Sequence, residues 1–152
     1  MVDVPTDFSL SAATTARIFN LAKAAHYFEG NIDSKKKNIA STGDKTLTYQ
    51  DGGTTRVGSY NYSFVPAVQE LTVLFQNLSA VLEFGHRLSY EYRYQKLALA
   101  EEINRMEQTS ILKGIGPDIS VIAPILQAIA DDQTVINPVR ARAMRLLQQT
   151  AR

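Results

Sequence analysis

The stretch SFVPAVQELTVLFQNLSAVLEFGHRLSYEYRYQKLALAEEINRMEQTSIL, Ser63 to Leu112, decides how this chain folds. Leu74, Leu78, Val81, Leu88, Tyr92, Leu99, Ile103 and Met106 recur mostly at alternating three- and four-residue steps, and Gly85 and Gln95 fill the open slots. That spacing lines them up along one side of a helix. A second set, Phe64, Val68, Leu71, Phe75, Leu78 and Leu82, covers the N-terminal half. This half is apolar over a wide arc and should be buried on more than one side. Pro66 is tolerated because the first turn of a helix needs no N–H from it. The pattern predicts a spine helix from about Ser63 to about Leu112. About 45 helical residues would span about 65–70 Å, longer than a compact domain of this size. The spine should therefore break, most readily at Gly85, or extend into a partner. Tyr90-Glu91-Tyr92-Arg93-Tyr94 alternates like a strand, but the helix formers of Gln95 to Glu107 follow it, and we read it as helical. On a helix its three tyrosines spread around the axis, so at least one should face away from the core.

Upstream lies a polar gap from Gly30 to Ser63. Loops longer than about 12–15 residues are uncommon in compact domains and tend to be functional or disordered. The gap holds Lys35, Lys36 and Lys37, then two β-favouring runs around Asp51-Gly52-Gly53, which predict a hairpin near Leu47 to Val57. We read this as an extended arm with few apolar residues of its own. Its replacement from Ser34 to Tyr60 by a short linker should leave the helical body folded. Tyr49, Tyr60 and Tyr62, with Arg56 and the lysine triplet, are its candidate contact residues; the alternative is that the tyrosines pack back onto the body. On the spine the candidates are Phe64, Val68, Leu71, Phe75, Leu82, Tyr90 and Tyr94.

Before the gap, Leu10, Ile18, Leu21, Ala25 and Phe28 form an apolar stripe on a helix expected from about Ser9 to Glu29, capped by Asp7 or Ser9 and stopped by Gly30. After the spine, Gly114-Ile115-Gly116-Pro117 ends it, and a short apolar helix falls within Asp118 to Asp131, started or kinked by Pro124. Asn137-Pro138 reads as a cap followed by a first-turn proline. The last helix puts Val139, Ala143, Met144, Leu146 and Leu147 on one side and Arg142, Arg145 and Arg152 on the other. The fold class is thus mainly α: one helical domain over residues 1–152, a bundle or helical hairpin with a long spine and an inserted arm, about 30–63, that contains a β-hairpin.

With 152 residues, 45% hydrophobic and 20% charged, the composition is that of a globular chain. The net charge of +1 gives no global attraction to nucleic acid or acidic membranes. No cysteine is present, which removes disulfides, thiol catalysis and cysteine zinc sites. The N-terminus carries acids where a signal peptide needs bases, and no run of 18 apolar residues occurs. We expect a soluble protein made in the cytoplasm and housed in a virion or another large complex. The triplets at Asn61 and Asn77 read as chance matches to a glycosylation signal.

Chemistry is sparse. Glu83-x-x-His86 and His26-x-x-Glu29 have the step used by di-metal bundles, but such sites need two Glu-x-x-His steps and two further glutamates. Both histidines read as surface residues with acid neighbours, and we assign no metal, cofactor or catalytic residue. There is no Gly-x-Ser-x-Gly elbow and no phosphate-loop pattern. Glu101-Glu102 and Asp131-Asp132 are adjacent pairs, which do not face each other on a helix. The expectation is a non-enzymatic structural or assembly subunit of a multi-copy complex: a phage or virus virion component (connector, internal or tail protein) or part of a secretion apparatus. The layout of helix, polar hairpin and long helix occurs in axial and connector-type assembly proteins, a likeness of shape alone. The expected partners are further copies of the chain and other assembly proteins, with nucleic acid and membrane contacts less favoured. The alternatives are a membrane-active or ejected helical protein and a small metal-dependent helical enzyme.

Overall fold

A computed structural model of the chain describes residues 8–35, 43–109 and 116–149. The described elements are α1 (Ala12–Ala24), β1 (Lys45–Asp51), β2 (Thr54–Tyr60), α2 (Pro66–Tyr94), α3 (Leu99–Glu107), α4 (Ala123–Asp131) and α5 (Asn137–Gln148), with 3-10 turns at His26–Phe28, Lys96–Ala98 and Gly116–Ile122. The protein is mainly α, with one long helix and one antiparallel β-hairpin. It divides into two compact units, Ala13–Val73 and Met1–Ala12 with Leu74–Arg152.

In Ala13–Val73, the hairpin pairs Lys45 with Tyr60 through to Asp51 with Thr54, around a Gly52-Gly53 turn. Gly52 takes φ +57°, a conformation glycine adopts without a Cβ clash. Thr46, Thr48 and Gln50 face solvent, while Lys45, Leu47 and Tyr49 are half-buried, the alternation a one-sided strand requires. The hairpin runs past the expected Val57, through Gly58 and Ser59 to Tyr60. Tyr60 is buried with Ala22, Ala25, Phe28, Ile32, Ala67, Val68 and Leu71. The hairpin is thus a wall of this unit's core and not an arm without one. Gly58 makes the packing fit: a Cβ there would lie 2.5 Å from Ile32 Cδ1 and 3.2 Å from Phe28 Cβ.

The first helix starts later and stops earlier than its stripe implies. Asp7 lies outside the described residues, and α1 begins at Ala12, after Ser11. After Ala24 the chain enters a left-handed turn, with φ of 52°, 55° and 67° at His26, Tyr27 and Phe28. Such conformations cost about 1–2 kcal/mol per L-residue. Offsetting this, Phe28 is buried and the Tyr27 ring packs 4.6 Å from Tyr49. A straight helix to Glu29 would forgo both contacts.

In the other unit, Leu78, Val81, Leu88, Leu99, Ile103 and Met106 are buried in one core, with Leu74 and Tyr92 packed against it. The spine's stripe is therefore real, but the helix breaks at Gln95 (φ −146°, ψ 62°) and not at Gly85. The break lets α3 bring Leu99, Ile103 and Met106 to the same core as α2. Gly85 stays helical and buried, because Ile122 of the Gly116–Ile122 turn packs directly on it. Helix α3 ends at Glu107, short of the expected Leu112; residues 110–115, which include Gly114-Ile115, lie outside the described residues.

Helix α4 begins with Pro124 in its first turn, so the proline starts the helix and does not kink it. In α5 the extended residue before the helix is Ile136, and Asn137 is the first helical residue. Its Oδ1 accepts from Arg140 Nη1 at 3.4 Å and does not cap the backbone. Val139, Ala143 and Leu146 are buried, whereas Met144 is exposed. Arg142 is half-buried, Arg145 is exposed, and Arg152 lies outside the described residues. Ser11 N–H donates to the buried Asp118 at 3.3 Å.

Candidate functional site

Both units present apolar side chains to solvent. Four of the six phenylalanines (Phe8, Phe19, Phe64, Phe75) and three of the seven tyrosines (Tyr62, Tyr90, Tyr94) are exposed. Single exposed apolar residues are ordinary. More than half of all the aromatic rings outside the cores is not, because aromatic burial dominates the energetics of small cores.

In Ala13–Val73, most of the hairpin residues picked as contacts are used internally. Tyr60 is buried, and its hydroxyl hydrogen-bonds to Thr72 Oγ1. Arg56 pairs with Glu29 and lies 6.0 Å from the Tyr27 ring centre, which itself packs on Tyr49. Val68 and Leu71 are core residues. Tyr60, Val68 and Leu71 share one core with Ala22, Ala25, Phe28 and Ile32, and Tyr49 packs against it. What remains outside is Tyr62 with Phe64. Their rings meet edge to face at 5.5 Å, Tyr62 Oη accepts from Gln69 Nε2 at 3.1 Å, and Phe64 is 57% exposed. Lys35 is exposed with φ +56°. Lys36 and Lys37 lie outside the described residues.

In the other unit, Tyr90 and Tyr94 stand one helical turn apart, rings 5.1 Å from each other, both exposed. Tyr92 turns inward and donates to Asp132 Oδ2 at 2.9 Å. Asp132 also accepts from Thr134 Oγ1 at 2.6 Å and Thr134 N–H at 2.8 Å, with Lys96 Nζ 3.5 Å away. The Thr134 hydrogen bonds, then that from Tyr92, hold its carboxyl well below the usual carboxylate range. Phe75 is exposed and Leu82 half-buried. Phe64 and Phe75 are thus left exposed, whereas Leu82 is partly covered.

The turn after the spine's break carries Leu97, 93% exposed. It is one wall of a groove of about 50 Å³ lined also by Lys96, Ala100, Thr134, Val135, Ile136 and Val139. Val135 and Val139 are buried and form its floor, whereas Ile136 is 56% exposed. The sequence reading passed over Leu97 and Ile136. Leu97 lies off the stripe of Tyr92 and Leu99, and its off-stripe position was the available signal.

A charged cluster joins α2 to α3. Glu102 is almost fully buried, paired with Arg87 Nε and with Arg105 Nη1 at 3.1 Å. Glu83 pairs with Arg87 at 3.2 Å, so the acid of the Glu83/His86 step is held by an arginine, as Glu29 is by Arg56. Among the described residues no group of three or more His, Asp or Glu side chains is placed to hold a metal. Among the described residues Glu91 Oε2, which is buried, has no hydrogen-bond partner. Burial, then the Glu102 charge, pushes its carboxyl above the usual 4.5. A raised carboxyl pKa means the fold binds a proton that the unfolded chain releases. The contribution of Glu91 to stability is full below pH 4.5 and is lost as pH rises through the raised value. Glu91→Gln is therefore expected to raise the melting temperature at pH 7, with the gain shrinking to nothing in acid; melting curves from pH 3.5 to 8 check it.

No protein-family model matches the sequence, and no curated protein or solved structure is significantly similar to it. No described helix is long and apolar enough to cross a membrane.

Proposed function

We propose that this chain is a non-enzymatic structural subunit of a multi-copy assembly, of the kind found in a phage or viral virion (a connector, internal or tail protein) or in a secretion apparatus. The observation that carries this reading is the set of exposed aromatic rings in both units, above all Phe64, Tyr90 and Tyr94. Fully burying such a ring is worth about 1.5–3 kcal/mol, and aromatic residues are enriched in interface cores. Rings that the chain leaves in water are rings a neighbour can cover. The kind of assembly rests on the layout of hairpin and long helix.

The test is the association state. The wild-type chain is expected to sediment as an oligomer, or to co-purify with a partner, at tens of micromolar. Phe64→Ser and Tyr94→Ser, both at exposed positions, should weaken that association and cost the fold no more than about 1.5 kcal/mol, the size of the ring pairs they break with Tyr62 and Tyr90. A single monomeric species without a partner overturns the reading.

A further inference from the structure

We propose that Glu91 is a proton-operated clasp between α2 and α3: when neutral it lets α3 lie closed on α2, and when ionised it loosens α3 while the rest of the unit stays folded.

Three observations carry it. The first is the balance of charge at the joint. Arg87 on α2 pairs with Glu83 at 3.2 Å and with Glu102. Arg105 on α3 pairs with Glu101 at 3.6 Å and with Glu102 at 3.1 Å. Each guanidinium thus already serves two carboxylates. Glu91 stands one helical turn after Arg87, and among the described residues its enclosed Oε2 has no hydrogen-bond partner. It is the acid of this cluster left without a cation of its own.

The second is where the opposing charge sits. Glu102 is 2% exposed and reaches from α3 to Arg87, so its buried charge lies over the turns of α2 that carry Glu91. A second ionised carboxyl there meets a like charge and loses the water that would solvate it. Burial opposes ionisation of Glu91 most, followed by the Glu102 charge; Arg105 and Arg87 favour it, and Glu101 opposes it. Burial and Glu102 prevail, and the carboxyl is raised above 4.5.

The third is the hinge. Helix α3 joins α2 through the break at Gln95, whose N–H donates to Glu91 O at 2.7 Å. It can lift on that break without unwinding α2. Leu99, Ile103 and Met106 tie it to the core, so ionisation shifts how often α3 opens and does not release it outright.

The sign follows from linkage. Opening α3 returns Glu91 to water and to an ordinary carboxyl pKa. Below pH 4.5 Glu91 is neutral in both states, and opening is independent of pH. Between that value and the raised one, opening releases a proton, so the opening constant rises about tenfold per pH unit. Above the raised value it levels off.

Hydrogen exchange from pH 3.5 to 8 is the test, read as protection factors so that the intrinsic pH dependence of exchange divides out. It is run on the wild type and on Glu91→Gln, an uncharged side chain of the same length. In the wild type α3 should be less protected than α4, and its protection should fall about tenfold per pH unit before levelling. In Glu91→Gln the α3 protection should be flat with pH and equal to the acid value of the wild type. Equal protection in α3 and α4 at every pH would mean that the unit opens only as a whole, and overturns the clasp. An α3 protection that ignores pH in the wild type, or follows it unchanged in Glu91→Gln, overturns the role of Glu91.

Discussion

Replacing residues 43–60 with a short Gly/Ser linker is expected to unfold Ala13–Val73 and to leave the core of the other unit formed. Tyr60 is buried in the first core, and Ile32 and Phe28 occupy the space a Cβ at Gly58 would need. Leu47 and Tyr49 pack against its edge. Without the hairpin, Phe28, Ile32, Val68 and Leu71 return to water at about 1.5–3 kcal/mol each. That sum is comparable with the whole stability of a typical domain, about 5–15 kcal/mol. The shortened connection itself changes closure entropy by only about 0.6 kcal/mol per halving. The left-handed turn at His26–Phe28 also loses the contacts that offset its strain. Hydrogen exchange is the measurement. Amide protection should vanish in α1 and in residues 66–73, and persist in residues 78–94, 99–107 and 123–147. Protection retained across Ala13–Val73 would restore the picture of a detachable arm.

Gly85→Ala is expected to destabilise the protein by about 1–2 kcal/mol, against the usual direction for a glycine inside a helix. An alanine Cβ there would sit 2.4 Å from Ile122 Cγ2 and 3.2 Å from Ile122 Cβ. Ile122 is β-branched, stiff at χ1, and part of the core, so it has little room to yield. Overpacking costs about 1–3 kcal/mol. Helix propensity returns up to about 1 kcal/mol. The clash wins, and Gly85→Leu should exceed about 3 kcal/mol. Ile122→Ala is destabilising alone through the cavity it leaves, yet should partly rescue Gly85→Ala, giving a favourable coupling in a double-mutant cycle. Denaturant melts of the four proteins check it. A Gly85→Ala protein that is more stable than wild type would show that Ile122 does not press on the helix.

The spine's periodicity made most of one core legible. Leu78, Val81, Leu88, Leu99, Ile103 and Met106 were all readable from steps of three and four, and all are buried. Periodicity works here because the same 3.6-residue repeat holds on both sides of the break. The hairpin was legible from Asp51-Gly52-Gly53, because turn chemistry is local. The exposure of the candidate contact residues was less legible. Phe64, Tyr90 and Tyr94 do lie exposed, but Val68, Leu71 and Tyr60 are core, and Tyr49 and Arg56 are used within the hairpin's own unit. A side chain's type does not say which surface covers it.

Sequence alone determined what depends on neighbours a few residues away: a mainly α chain, a long apolar-striped helix, a glycine turn between two strands, a proline-started helix near Pro138. Tertiary structure decided what depends on partners distant in the chain. The spine breaks at Gln95 and not at Gly85, because Ile122 needs the space a glycine leaves. The first helix gives way to a left-handed turn, because Phe28 and Tyr27 bury against the hairpin. Leu97 stands in water as one wall of an apolar groove, because the break that returns α3 to the core turns this one leucine away from it.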